Sequence, residues 1–108
     1  MVGSIYFIQM PYSDFSEFKG RPVLVFQKID KNDVLVLPLT TNLAREGVCI
    51  TQQDILEGTL KKESVVIVPK ITAMDASLID NARKIATLKK KSFAKVAKQI
   101  CEKLSCEK

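Results

Sequence analysis

Few residues in this chain can do chemistry. The sequence holds no histidine, which excludes Ser-His and Cys-His nucleophilic pairs and removes the commonest general base and metal ligand. What remains is an arginine and a pair of hydroxyls at the ends of two apolar runs. The first run is Gly20-Arg21-Pro22-Val23-Leu24-Val25-Phe26, and the second is Asp33-Val34-Leu35-Val36-Leu37-Pro38-Leu39-Thr40-Thr41-Asn42. If the runs pair as neighbouring antiparallel strands, the start of one lies beside the end of the other. A guanidinium and two hydroxyls then share one rim. Arg21 stands between a glycine and a proline, so its backbone is extended and its side chain projects from a strand edge. Its planar fork of donors suits a phosphate, or an ion pair with a carboxylate such as Glu17 or Asp14. Thr40 and Thr41 either donate to a phosphate oxygen or satisfy backbone groups at a strand end. Glu17 suits a base or a partner that positions Arg21. From the residues alone, this is an anion-binding rim on a small β domain.

The loop ahead of that rim, residues 11–20, mixes polar and aromatic side chains without a period. Tyr12, Phe15 and Phe18 either anchor the loop or serve as stacking platforms for unpaired bases. Charge is distributed unevenly: residues 83–108 hold nine Lys/Arg against two Asp/Glu, in a chain of net charge +5. Such a basic tail is either a solvated helix face or a nucleic-acid contact, and the Lys89-Lys90-Lys91 run is where DNA contact is to be looked for. Three cysteines without a CxxC spacing suggest neither a disulfide framework nor a zinc site, and a reduced cytoplasm fits them.

The elements that must position the rim follow from pattern and punctuation. At 108 residues the expectation is one domain with one modest core. No run of about 18 apolar residues is present to span a bilayer, and the first ten residues lack the pattern of a secretory signal. Residues 5–8, between Gly3 and Pro11, predict a buried strand. Residues 23–28 and 34–37 predict a β-hairpin closed through Asp30, Asn32 and Asp33. Their continuous apolar character requires cover on both faces, which in so small a domain means a coiled sheet or small barrel. A short strand is expected at 48–51 and one helical turn at 52–57 before Gly58. A further strand runs over 64–68 to Pro69, with 70–74 continuing the sheet after that break. Asp75 is expected to N-cap a turn over 76–79. Phe93, Val96, Ala97, Ile100, Cys101 and Leu104 recur at helical spacing, with Lys95, Lys98 and Lys103 between them, so the last element is an amphipathic helix.

Taken in order, these pieces resemble the MazF/PemK (Kid-like) toxins of bacterial type II toxin-antitoxin systems. The matching phrases are Ser16-Glu17-Phe18-Lys19-Gly20-Arg21-Pro22-Val23-Leu24-Val25, Leu37-Pro38-Leu39-Thr40-Thr41-Asn42, Ser64-Val65-Val66 and Lys70-Ile71-Thr72-Ala73-Met74-Asp75. The resemblance implies a mainly β fold, a small SH3-like barrel with appended helices. It implies a cytoplasmic homodimer that cuts single-stranded RNA without a metal or other cofactor, by attack of the ribose 2′-hydroxyl on the adjacent phosphorus. By position, Arg21 and Thr40 match the family's catalytic arginine and threonine, and Glu17 matches a loop glutamate. RNA contact is expected from Asp14, Phe15, Phe18 and Lys19 ahead of the rim and from Thr41 and Asn42 behind it. The expected protein partner is an antitoxin with an acidic C-terminal segment, through which any DNA contact would be indirect; no membrane is involved. Ile67 and Pro69 stand where many relatives carry an arginine and an acid. A barrel that lost its base would bind nucleic acid or protein without cutting, which is the alternative function.

Overall fold

The computed structural model describes residues 2–11 and 18–104. Eight strands dominate it: β1 (Ser4–Pro11), β2 (Phe18–Lys28), β3 (Asp33–Thr40), β4 (Val48–Ile50), β5 (Ile55–Gly58), β6 (Ser64–Val66), β7 (Thr72–Asp75) and β8 (Arg83–Leu88). Two helices accompany them, α1 (Ala76–Asp80) and α2 (Lys90–Leu104). The strands form one curled antiparallel sheet in the order β4-β6-β3-β2-β1-β8-β5, while β7 pairs with the first half of β3. The mainly β barrel-like architecture with a C-terminal helix is therefore as expected.

The hairpin at the centre is closed by an aspartate. Asp30 Oδ1 accepts from the backbone amides of Asn32 at 2.7 Å and Asp33 at 2.9 Å, which turns the chain from β2 into β3. The two strands then bury opposite faces. Leu24, Leu37 and Leu39 enter a core with Ile5, Val66, Leu88, Val96 and Ile100. Val23, Val25, Val34 and Val36 enter a second core with Ile8, Met74 and Ile79. This double cover is why both runs are apolar without alternation. The α2 helix closes the first core through Val96 and Ile100, and Phe93 stacks on Phe26 with ring centroids 5.5 Å apart. Its Lys95, Lys98 and Lys103 are exposed, and Lys103 pairs with Glu46. Asp75 caps α1 as expected, accepting from the Ser77 amide at 2.9 Å.

Four local expectations change, the first at the strand expected over 64–68, which ends at Val66 and is followed by a 3₁₀ turn at Val68–Lys70 that takes in Pro69. Of residues 52–57, only Gln52–Asp54 is helical, as a 3₁₀ turn, and Ile55 then begins strand β5 against β8. Burying Ile55 in the core outweighs continuation of the turn. Residues 83–88, read as the start of a basic tail, form β8 between β1 and β5. The charges of Arg83 and Lys84 obscured a strand whose Ala86 and Leu88 are both buried. Cys101 is disulfide-bonded, whereas no disulfide was expected. An odd cysteine count does leave room for one pair.

Asp54 ties the 3₁₀ turn to α2. Its side chain accepts from the Thr51 amide at 2.8 Å and from the buried Ser92 hydroxyl at 2.7 Å, and its carbonyl accepts from the Lys89 amide at 2.9 Å. Burial pushes the carboxyl up, but the Ser92 hydroxyl, the Thr51 amide and the charges of Lys95 and Lys89 together outweigh it, holding it below the usual carboxylate range. A carboxyl lowered by folding adds stability that is complete above its unfolded-chain value, about 3.9, and is lost as pH falls through the folded value. Asp54→Asn is therefore expected to cost about 1 kcal/mol at neutral pH and to flatten the loss of stability on acidification. Urea midpoints at pH 7 and pH 3 measure both effects. Equal acid sensitivity in the two proteins would remove Asp54 from this role.

Candidate functional site

The register of the central hairpin brings the arginine and the threonine together. Val23 pairs with Pro38, Leu24 with Leu37 and Val25 with Val36. Carried two residues beyond Val23, the same register sets Arg21 level with Thr40. The chain leaves the hairpin differently on the two sides. Arg21 continues in β2 and pairs with Ile8 of β1, whereas Thr40 pairs with Val65 of β6. Leu39 and Thr40 thus bend away to join β6 and leave a gap at the rim.

That gap is a cleft of about 250 Å³ lined by Arg21, Pro22, Leu39, Thr40, Thr41 and Ser64. Arg21 is exposed, while Thr40 is half-buried. Thr40 Oγ1 accepts from the Asn42 amide at 3.1 Å, and Asn42 Oδ1 in turn accepts from the Ala44 amide at 3.1 Å. The first bond uses an acceptor site on the hydroxyl oxygen and leaves its hydrogen to be donated. Asn42 therefore helps to position Thr40 through its backbone, and its side chain shapes the turn that follows. Ser64 Oγ donates to the Lys62 carbonyl at 3.0 Å, which holds the chain ahead of β6 at the edge of the cleft.

Of the residues expected at the site, Arg21, Thr40 and Thr41 line the cleft, and Asn42 follows them in the turn. Phe18 and Lys19 open β2 opposite Pro11 and Met10 of β1. Tyr12, Asp14, Phe15 and Glu17 lie outside the described residues. Ser64 was missed in the sequence, where a serine opening a Val-Val strand reads as ordinary punctuation. A wider groove joins the cleft, sharing Pro22, Thr41 and Ser64 with it. Its walls include Phe7, Lys61, Lys62, Arg83 and Lys84, none of which the sequence singled out. The available signals were two basic pairs, Lys61-Lys62 close behind Gly58 and Arg83-Lys84 opening β8.

Fold and site together define a curled antiparallel half-barrel with a C-terminal helix, carrying an arginine-hydroxyl cleft at its rim. The chain belongs to the PemK-like, MazF-like toxins of type II toxin-antitoxin systems, whose family model matches residues 1–104. Among solved structures, the Mycobacterium tuberculosis toxin MazF-mt6 is similar with a TM-score of 0.67 at 22% identity, over 94% of this chain and 96% of that one. At that identity the likeness speaks for the fold. No curated protein matches the chain in sequence. Among the described residues, no helix is long and apolar enough to cross a membrane.

Proposed function

We propose that this toxin is an endoribonuclease that cuts single-stranded RNA, and that Arg21 and Thr40 are its catalytic pair. The observation carrying this reading is their convergence in one solvent-open cleft, with a hydroxyl whose hydrogen can be donated outward. In the reaction, the ribose 2′-oxygen attacks the adjacent phosphorus and the bond to the 5′-oxygen breaks. The products are a 2′,3′-cyclic phosphate and a free 5′-hydroxyl. Negative charge grows on the non-bridging oxygens during attack. A guanidinium and a hydroxyl that line the cleft can stabilise that charge more than the ground state. Glu17 is proposed to take the 2′-hydroxyl proton, and the departing 5′-oxygen takes a proton from solvent water. Phe15, Phe18, Asp14, Lys19, Thr41 and Asn42 are proposed RNA contacts flanking the pair.

The same reading includes a cytoplasmic homodimer held in check by an antitoxin whose acidic C-terminal segment competes with RNA for the basic rim. DNA would be reached only through that partner. A second reading rests on Ile67 and Pro69, which stand where many relatives carry an arginine and an acid. On that reading the barrel binds nucleic acid or protein without cutting. Incubation of the purified protein with mixed-sequence RNA in the presence of a chelator separates the two. Discrete cuts ending in cyclic phosphate support the nuclease, and retarded but intact RNA supports the binder.

A further inference from the structure

The polar side of α2 carries a separate concentration of charge. Between Lys90 and Leu104 the helix holds five lysines and one acid, Glu102, and Lys89 stands directly ahead of it. Lys91, Lys95 and Lys98 follow one another at steps of four and three residues, so they form a single ridge about 10 Å long. All three are exposed. No acid occupies the first turn, where a carboxylate would suit the helix dipole and where Lys90 and Lys91 oppose it. These charges work against the helix that carries them. Nor are they neutralised from outside: among the described residues, no carboxylate comes within ion-pairing distance of Lys91, Lys95 or Lys98. Asp54, whose carboxyl is lowered in part by Lys95, is held by the Ser92 hydroxyl and the Thr51 amide, and Glu46 pairs with Lys103. Beside the ridge lies a groove of about 320 Å³ between α2 and the start of β4, lined by Gly47, Val48, Lys95, Lys98, Gln99 and Glu102. None of these residues belongs to the Arg21–Thr40 cleft or to the wider groove that joins it.

The chemistry of the surface narrows its occupant. The apolar face of α2 is used in the core through Val96 and Ile100, so no large apolar side chain remains to enter lipid. Its one aromatic ring, Phe93, is stacked on Phe26 and is not offered to an unpaired base. A straight row of cations with neither feature answers a run of phosphates whose bases are turned away into pairs. We propose that the Lys91-Lys95-Lys98 ridge docks paired RNA, the phosphates of one strand lying along the ridge and the groove beside it. The choice of RNA over DNA rests on the nuclease reading: a folded RNA offers unpaired stretches to the cleft and paired ones to α2.

The probe is a short mixed-sequence RNA duplex methylated at its 2′-oxygens, so that it binds but cannot be cut. Its affinity for the full chain is measured by fluorescence anisotropy across a salt series. The double variant Lys95→Gln, Lys98→Gln is expected to flatten the slope of log affinity against log salt by about 0.9 for each phosphate it no longer neutralises, and adding Lys91→Gln to flatten it further. Replacing the same three residues by arginine keeps the charge and should keep the slope. A control with two charges removed at the far end of the hairpin, Lys28→Gln, Lys31→Gln, should bind as wild type. Far-UV circular dichroism checks that each variant is folded. An unchanged slope in the ridge variants, or an equal loss in the control, overturns the proposal. It is also overturned if the ridge variants lose affinity for phosphatidylserine vesicles and keep it for the duplex, or if a DNA duplex of the same sequence binds the ridge more tightly than the RNA one. If the ridge holds duplex RNA while unpaired RNA is never cut, the ridge stands and the nuclease reading fails. If RNA is cut in an Arg21-dependent way and the ridge variants keep the wild-type slope, the ridge proposal fails alone.

Discussion

On the proposed nuclease reading, Arg21→Ala is expected to slow RNA cleavage by about 10²–10³-fold, which corresponds to about 3–4 kcal/mol of lost transition-state stabilisation. The size follows from where the charge appears. Attack by the 2′-oxygen concentrates negative charge on phosphate oxygens, in a chain with no histidine to share the work. The guanidinium at the cleft rim is the one cation in its described lining. Arg21→Lys is expected to recover only part of the rate, because an ammonium keeps the charge and loses the fork that meets two oxygens at once. Since Arg21 is exposed, neither variant should shift the melting temperature by more than a surface substitution does. Single-turnover cleavage of RNA measures the effect, and relief of growth arrest on expression accompanies it. A variant that cuts at the wild-type rate would remove Arg21 from the catalytic pair.

Leu37→Ala is expected to lower stability by about 3 kcal/mol, the middle of the range for a buried leucine cut back to alanine. Leu37 is fully buried and lies opposite Leu24, itself fully buried, in the core that α2 closes. Against a total stability of roughly 5–15 kcal/mol, that loss is large, and the melting temperature should fall by roughly 12–24 °C. Leu37→Met nearly conserves volume and should cost less than about 1.5 kcal/mol. Thermal melts and urea titrations of the two variants decide it. A melting temperature within a few degrees of wild type for the alanine variant would contradict the packing of the central hairpin. Leu37 is three residues before Thr40, so cleavage should fall with the folded fraction and persist below the melting range.

These two expectations rest on features that the sequence shows to different degrees. The β2–β3 hairpin was readable because its signals are local: two apolar runs, a turn rich in Asp and Asn, and a proline beside the arginine. The Asp75 cap and the apolar face of α2 were readable for the same reason, since a cap acts over two residues and a helix face over three or four. Strand β8 was not readable. Its Arg83-Lys84 opening is charged, and the burial of Ala86 and Leu88 is settled by β1 and β5, strands some 80 and 30 residues away in sequence. The turn over 52–57 failed likewise, because helix propensity there was overruled by the place for Ile55 beside Leu88.

The sequence by itself excluded histidine chemistry, placed an arginine at the start and a threonine at the end of one hairpin, so that both fall at its open end, and showed strands apolar enough to be covered on both faces. An antiparallel pair with a short turn brings the start of β2 beside the end of β3, so the shared rim is a local consequence of the chain, while the bulge between Val25 and Gln27 is what sets Arg21 level with Thr40. The tertiary structure alone decided what stands around that pair. Phe7, Lys61, Lys62, Arg83 and Lys84 come from three separate parts of the chain and meet only because the sheet curls until β8 lies against β1. Ser64 reaches the cleft only because β3 parts from β2 to pair with β6. Those pairings are long-range, and no periodicity in a single strand records which distant strand will become its neighbour.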